Sequence, residues 1–313
     1  RPAAYRPPGV EGFLPISSLM SAVYFIKAGV LNHVHPAGLI ILALSIALSV
    51  VVRRGFCSWA CPIGTISEYA HLLGKKLFGR NFLLPKALDV PLRALKYLLL
   101  GMFVFVVTSM DAKSLDMFIH GPYNRIADVK MYLFFAHISA TAAGVIAVLF
   151  VLSMLVKNFW CRYLCPYGAM LGIVSYISPA AITRDEHKCI GCGACARACP
   201  NRIAVNEKKR VNSPECMACY GCTDVCPKAG ALEMKFAGRK ALTVTVYAAI
   251  IVLSFLLAVR VAAAFGYWRT DTTAAQYREL YKEAGSIGHP RSMEYDEKTL
   301  SPYAAPHDSI HGE

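Results

Sequence analysis

Eight cysteines between residues 189 and 227 carry the most specific chemistry in this sequence. They form two runs with the same spacing, C-x2-C-x2-C-x3-C-P, at residues 189–200 and 216–227. Three cysteines so spaced bind three irons of a [4Fe–4S] cluster from one tight loop, and the fourth reaches a second cluster. The spacing therefore predicts two clusters. The expected ligands are Cys189, Cys192, Cys195 and Cys226 for cluster 1, and Cys199, Cys216, Cys219 and Cys222 for cluster 2.

Zinc and disulfides are the alternatives for so many cysteines. Structural zinc sites favour two separated cysteine pairs, often with histidine, and do not account for two runs that each close in Cys-Pro. The sequence contains no C-x-x-C-H motif, so we expect no covalently attached c-type haem on this chain.

The other four cysteines belong to an internal repeat. Residues 56–64 read F-C-x-W-x-C-P-x-G and residues 160–168 read W-C-x-Y-x-C-P-x-G. Four thiolates at one membrane level would suit a third [4Fe–4S] cluster, or a site for copper or another soft metal. Alternatively, the Cys-Pro and Gly residues only shape a turn after each helix, and the thiols are idle or disulfide-linked. The thiols concerned are Cys57, Cys61, Cys161 and Cys165.

The rest of the chain must position these cysteines, and its composition indicates a membrane domain. Of the 313 residues, 56% are hydrophobic, and the mean hydropathy is +0.43. The apolar residues form long runs, which is typical of an integral membrane protein. Four clear spans are predicted at 37–52, 94–110, 132–156 and 241–264. The apolar segment 13–32 fits a marginal span, a re-entrant segment or an interfacial helix.

The expected fold is an α-helical membrane protein with an inserted α+β ferredoxin domain that holds two [4Fe–4S] clusters. The lead-in and marginal segment occupy 1–36, and the membrane domain with both C-x3-C-P motifs occupies 37–183. The predicted remainder is a ferredoxin domain at 184–236, a transmembrane helix at 237–264 and an extracytoplasmic tail at 265–313.

Charge predicts the orientation of these segments. The net charge is +13, and the basic residues lie mainly beside the apolar spans. This position indicates that they orient the chain in the membrane and do not bind nucleic acid. The segments 53–96 and 157–240 are strongly basic, whereas 111–131 is balanced and the tail is acidic. The positive-inside rule then places all twelve cysteines on the cytoplasmic face of the inner membrane, where thiols stay reduced. The 111–131 loop and the tail face the periplasm.

Three histidines map near the predicted outer face. His35, His120 and His137 are candidates to ligate a b-type haem or to accept protons from a quinol. The alternative is that they are interfacial anchors or structural hydrogen-bonding groups. Asp116 and Asp128 lie in the same predicted outer loop.

Paired C-x3-C-P motifs after membrane spans, followed by a two-cluster ferredoxin, resemble the membrane polyferredoxin family. That family includes NapH-type quinol dehydrogenase subunits, NosR-type proteins and CcoG-type proteins linked to copper handling. The likeness covers residues 37–236 and depends on the twelve cysteines. A span after the ferredoxin departs from the NapH type and looks more like the CcoG type.

The resemblance implies an electron-transfer subunit of a membrane-bound respiratory quinol or quinone oxidoreductase complex. Electrons would pass among the quinone pool, the clusters and a redox partner, such as a multihaem cytochrome c or a periplasmic reductase. The alternative is a copper reductase or assembly factor that binds the metal at the C-x3-C-P thiols and reduces it through the ferredoxin clusters.

Overall fold

The computed structural model describes residues 7–79, 82 and 84–289, and within them the chain is mostly helical. Residues 1–6 of the predicted lead-in, and the tail from 290 with His307 and His311, lie outside the described residues. The helices are α1 Pro15–Ala28, α2 Pro36–Val52, α3 Gly55–Trp59, α4 Pro62–Phe78, α5 Lys86–Ser109, α6 Ala112–His120, α7 Pro122–Arg125, α8 Ala127–Ala136, α9 Ala140–Leu155, α10 Pro166–Val174, α11 Ala194–Ala198, α12 Gly221–Asp224, α13 Val244–Ala264 and α14 Ala274–Lys282.

Two of these helices are long and apolar enough to cross a membrane, at Ala87–Ser109 and Val244–Ala264. The predicted span at 132–156 is not one continuous helix. Helices α8 and α9 meet at a bend of 87° and make a third span only if they are counted together. Helix α2, predicted as a span, is apolar but has only 17 residues, because Pro36 begins it and Arg53 has a left-handed φ of 67° just beyond its end. The described residues therefore contain two or three candidate spans instead of four.

The chain divides into two compact units. One contains residues 43–102 and 140–257, and with them all twelve cysteines; we call it the thiol unit. The other contains, of the described residues, 7–42, 103–139 and 258–289, and with them His35, His120 and His137; we call it the histidine unit.

A small antiparallel sheet frames the cysteine runs of the thiol unit. Its order is β1-β2-β3, with β1 at Ala180–Arg184, β2 at Leu232–Phe236 and β3 at Lys240–Ala241. The pairing of Ala180 with Phe236 and of Arg184 with Leu232 brings the two ends of the ferredoxin segment together. Ile182 and Met234 point into a core that also contains Val52 and Tyr247, so the sheet packs on the ends of α2 and α13.

Buried charged residues join the ferredoxin segment to the helices of the thiol unit. The Arg53 side chain is fully buried and donates to the Ala180 carbonyl (2.7 Å), the Ser213 carbonyl (3.1 Å) and Asn212 Oδ1 (2.9 Å). Lys96 of α5 is also fully buried, and its Nζ lies 2.7 Å from both carboxylate oxygens of Glu215. A buried charge is tolerated only when it is paired and hydrogen-bonded, so these contacts fix the position of residues 212–215.

The histidine unit has two small cores. Helix α1 packs on α6 around Met20, Val23, Leu115 and Ile119. Helix α14 covers Ile126 with Leu280 and is capped by Thr273 in a capping box with Gln276. Residues 270–289 of the predicted tail thus form an ordered part of this unit.

Replacing Lys96 with methionine tests the buried pair. The change leaves the Glu215 carboxylate buried without its ammonium partner, so we expect the free energy of unfolding to fall by about 3–5 kcal/mol. Thermal unfolding of the purified protein in detergent measures the loss. The double variant Lys96→Met/Glu215→Gln should recover much of it, and exposed Lys76→Met should unfold like the wild type. Equal unfolding temperatures for Lys96→Met and Lys76→Met would contradict the assignment.

Candidate iron–sulfur centres

The four cysteines predicted for cluster 1 line one pocket in the thiol unit. Cys189, Cys192, Cys195 and Cys226 share this pocket with Arg184, Ile190 and Leu232. Cys192 is exposed, and the other three are partly exposed. The N–H of Gly191 and the Arg184 side chain lower the pKa of Cys189, which favours the thiolate needed for iron binding.

The four cysteines predicted for cluster 2 lie deeper. Cys216 and Cys222 are buried, and Cys199 and Cys219 are partly buried. Burial, together with the nearby Cys216 and Cys199, raises the pKa of Cys219 to about 11. Bound iron supplies the positive charge that such crowded thiolates require.

The two cysteine loops adopt the same backbone conformation despite different sequences. Gly191 and Gly193 of the first run have φ values of 70° and 69°. Ala218 and Tyr220 occupy the equivalent positions of the second run, with φ values of 53° and 60°. A left-handed conformation costs a residue other than glycine about 1–2 kcal/mol. The second loop has two such residues and still has the same left-handed φ values as the first loop. This is expected if both loops enclose the same kind of group.

The C-x3-C-P thiols converge although the two motifs lie about a hundred residues apart. Burial raises the pKa of Cys161, and the nearby Cys165, Cys57 and Cys61 raise it further. Each motif places its second cysteine just before a helix that begins with proline, α4 after Cys61 and α10 after Cys165. The Gly168 N–H donates to the Cys165 sulfur at 3.3 Å, as an amide at a helix N-terminus would stabilise a bound thiolate.

Residues between the cysteines of each motif anchor it to different elements. Ser58 donates to the Met217 carbonyl (2.7 Å), and Trp59 Nε1 donates to the Ala218 carbonyl (3.1 Å). The first motif is therefore hydrogen-bonded directly to the loop that carries Cys216 and Cys219. In the second motif, Arg162 and Tyr163 both bind the Asp89 carboxylate of α5.

Arg54 was not predicted from sequence as a site residue. From sequence, the Arg53-Arg54 pair indicates only the orientation of the chain in the membrane. The structure shows its guanidinium buried, with Cys57, Glu215 and Cys161 close enough to favour its charged form. Nη1 donates to the Pro214 carbonyl at 2.9 Å. The pair stands directly before the first repeated motif, and this position was the only sequence signal for its role.

Within the described ranges, no three Cys, His, Asp or Glu side chains are grouped so that they could hold one metal ion. A [4Fe–4S] cluster does not require such a group, because each of its thiolates binds a separate iron atom. The convergence of four thiols, the shared loop conformation and the cysteine-lined pocket are the features that fit clusters.

The three candidate histidines lie in different surroundings. His35 is buried, with Nε2 2.7 Å from the Asn124 carbonyl and Nδ1 3.6 Å from Glu11, so neither nitrogen is open to a haem iron in this arrangement. His120 is partly exposed, and its Nδ1 lies 3.1 Å from Asp116 Oδ1. Burial disfavours the imidazolium, but the hydrogen bond and charge of Asp116 prevail and raise the pKa of His120. His137 is exposed at the bend between α8 and α9.

Comparison with known proteins agrees with these motifs. A family model described as a 4Fe-4S binding domain matches residues 34–81 and 140–184, and a 4Fe-4S dicluster domain matches residues 181–227. The putative electron transport protein YccM of Escherichia coli is 41% identical over 91% of this chain and 81% of its own length. The chain belongs to the membrane polyferredoxin family.

More distant polyferredoxins share only part of the chain. The methylamine utilization ferredoxin-type protein MauN of Methylobacillus flagellatus is 26% identical over 62% of each chain. The regulatory protein NosR of Pseudomonas aeruginosa is 29% identical over 52% of this chain and 22% of its own length. No solved structure matches the chain.

The equivalence of the two cysteine loops predicts that Gly191→Ala is tolerated. Alanine already occupies the equivalent position, 218, and no atom lies within 4 Å of a Cβ added at Gly191. We expect full iron content and a loss of about 1–2 kcal/mol in stability from the left-handed φ. Iron analysis and thermal unfolding measure these two quantities. Loss of about four irons per chain would show that the loops are not equivalent.

Proposed function

We propose that the chain is the iron–sulfur electron-transfer subunit of a membrane-bound quinol or quinone oxidoreductase complex. The observation that carries this proposal is the hydrogen bonding of Ser58 and Trp59 to the loop that carries Cys216 and Cys219. It joins the C-x3-C-P thiols to the ferredoxin thiols, so that the twelve cysteines form one continuous series and not separate sites.

The series contains three [4Fe–4S] centres. Clusters 1 and 2 have the ligands predicted from spacing and belong to the ferredoxin module at 184–236. The third centre, which we call the repeat centre, is held by Cys57, Cys61, Cys161 and Cys165. Each cluster accepts or releases one electron at a time, and the chain's side chains position the clusters and tune them through burial and hydrogen bonds.

The solvent exposure of the cysteines differs between the three centres. The repeat centre and cluster 2 each have two buried and two partly buried cysteines, whereas cluster 1 has no buried cysteine and includes the exposed Cys192. Electrons would therefore exchange with a redox partner at cluster 1 and reach the repeat centre through cluster 2. Trp59 packs against Tyr220 and Tyr247 at ring-centroid distances of 6.3 and 5.7 Å, which holds the indole in place for its hydrogen bond to the cluster 2 loop.

A quinol site is proposed at His120. Quinol oxidation releases two electrons and two protons, so the site needs bases as well as an electron acceptor. His120 and Asp116 are adjacent, and Tyr24 forms a side-chain hydrogen bond with Asp116. His120 is predicted at the outer membrane face and the cysteines at the cytoplasmic face, so a haem or a partner's cofactor would carry electrons between this site and the clusters.

The proposed location is the inner membrane, with the cysteines on the cytoplasmic side and residues 265–313 in the periplasm. All twelve cysteines fall in the strongly basic segments 53–96 and 157–240, which supports this orientation. Arg53 and Arg54 are buried in structural contacts, so the exposed Lys75, Lys76 and Lys188 are better markers of the cytoplasmic side. A multihaem cytochrome c or a periplasmic reductase is the expected partner, and nucleic acid is not.

The quadruple variant Cys57/Cys61/Cys161/Cys165→Ser tests the repeat centre. Wild-type protein should contain about twelve irons per chain and the variant about eight, because only one of three clusters loses its ligands. A menaquinol analogue should reduce the clusters of the wild type in its complex faster than those of the variant. Iron analysis and the visible absorption of the clusters provide both measurements.

Other results would favour a different function. Copper bound by the wild type and lost in the quadruple variant, with about eight irons in both, would favour the copper reductase or assembly factor. Wild-type protein with about eight irons and no copper would show that the C-x3-C-P thiols hold no cluster and take no part in electron transfer.

A further inference from the structure

The Arg54 guanidinium lies in a slot formed by the backbone of α10. A Cβ added at Gly168 would be 3.6 Å from Arg54 Nη2 and 3.7 Å from the Cys165 sulfur. A Cβ added at Gly172, one turn later, would be 3.2 Å from Arg54 Nη1 and 2.7 Å from the Pro214 carbonyl. The two glycines thus leave room for a guanidinium beside the thiols of the repeat centre.

Among the residues that the structure describes, no carboxylate forms an ion pair with Arg54. Nη1 donates to the Pro214 carbonyl, and Nε has no partner within the described ranges. The charge of Glu215 acts on Arg54, but this carboxylate already binds Lys96 and Tyr97. Arg54, Lys96 and Glu215 together leave one excess positive charge buried beside four cysteines. Such a charge is costly unless it faces negative charge.

The repeat centre supplies that negative charge. A [4Fe–4S] cluster with four thiolate ligands is negative overall, and adding an electron makes it more negative by one. A buried cation beside it stabilises the reduced form more than the oxidised form, and the low local dielectric strengthens the effect. Net charge near a cluster is one of the properties that set its reduction potential.

We propose that Arg54 is the counter-charge of the repeat centre and holds its reduction potential high enough to exchange electrons with cluster 2. The inference rests on the proposed function, since it requires a cluster at the four C-x3-C-P thiols. The step is a single electron transfer between cluster 2 and the repeat centre, without bond formation or proton movement. Arg54 is a positioning and tuning residue and need not move during the transfer.

The neighbouring Arg53 shows why this role belongs to Arg54. Arg53 is equally buried, but its Nε, Nη1 and Nη2 donate to Ala180, Ser213 and Asn212. These contacts clamp the ferredoxin segment. Arg54 donates to one backbone carbonyl and lies beside the cysteine thiols, which suits a charge directed at them.

Redox titration of full-length Arg54→Gln, followed by electron paramagnetic resonance, tests the inference. The repeat centre should keep its iron and show a lower midpoint potential than in the wild type, while cluster 1 keeps its potential. Arg54→Lys retains the charge and should restore most of the shift. Exposed Lys76→Gln removes the same charge from α4 and should leave all three potentials unchanged.

The other outcomes either support or overturn the role of Arg54. A full iron complement with an unchanged repeat-centre potential in Arg54→Gln, or an equal shift in Lys76→Gln, overturns the role of Arg54 and leaves the proposed function intact. Loss of about four irons in Arg54→Gln but not in Arg54→Lys supports the role of Arg54 as counter-charge. Loss of about four irons in both variants shows that the site needs the shape of the arginine side chain and not its charge, and overturns that role. A wild-type chain with about eight irons overturns the repeat centre and this inference together.

Discussion

The structure of the thiol unit depends on the attachment of the ferredoxin segment to the first C-x3-C-P motif. Ser58 and Trp59 donate to carbonyls of the cluster 2 loop, and Arg53 clamps residues 212–213 and the start of β1. Backbone carbonyls in a buried loop must find donors, and these side chains provide them. The loop that carries Cys216 and Cys219 is therefore held against the first C-x3-C-P motif by hydrogen bonds that a simple linker between two domains would not make.

This attachment gives the two groups of cysteines different environments. Among the cysteines assigned to cluster 1, Cys192 is exposed, whereas Cys216 and Cys222 are buried in the core that α2 and α13 share with the sheet. Burial and nearby charge are the means by which a protein separates the potentials of chemically identical clusters. The excess positive charge from Arg54, Lys96 and Glu215 adds an electrostatic difference that cysteine spacing alone cannot encode.

Cysteine spacing predicted the family and the presence of 4Fe-4S binding domains, because ligand geometry imposes short, fixed intervals on the chain. The ligand assignment remains a prediction, which the pocket of cluster 1 and the shared loop conformation support. Span counting was less accurate. Hydropathy does not detect the bend between α8 and α9, since residues on both sides of it are apolar.

Arg53, Arg54 and Glu215 could not be assigned from sequence, because their partners lie more than a hundred residues away along the chain. Charge counting placed the arginines at a membrane surface, and only the fold shows that they are buried. His35 and His120 look alike in sequence, but one is enclosed by Glu11 and Asn124 whereas the other is partly exposed beside Asp116.

The central claim is that the repeat centre and cluster 2 are neighbouring redox centres in one series. Electron paramagnetic resonance of the fully reduced protein tests it most directly, because neighbouring reduced clusters broaden each other's signals. The account predicts a magnetically coupled spectrum that becomes simpler in the Cys57/Cys61/Cys161/Cys165→Ser variant. Identical spectra of the ferredoxin clusters in the wild type and this variant would contradict it.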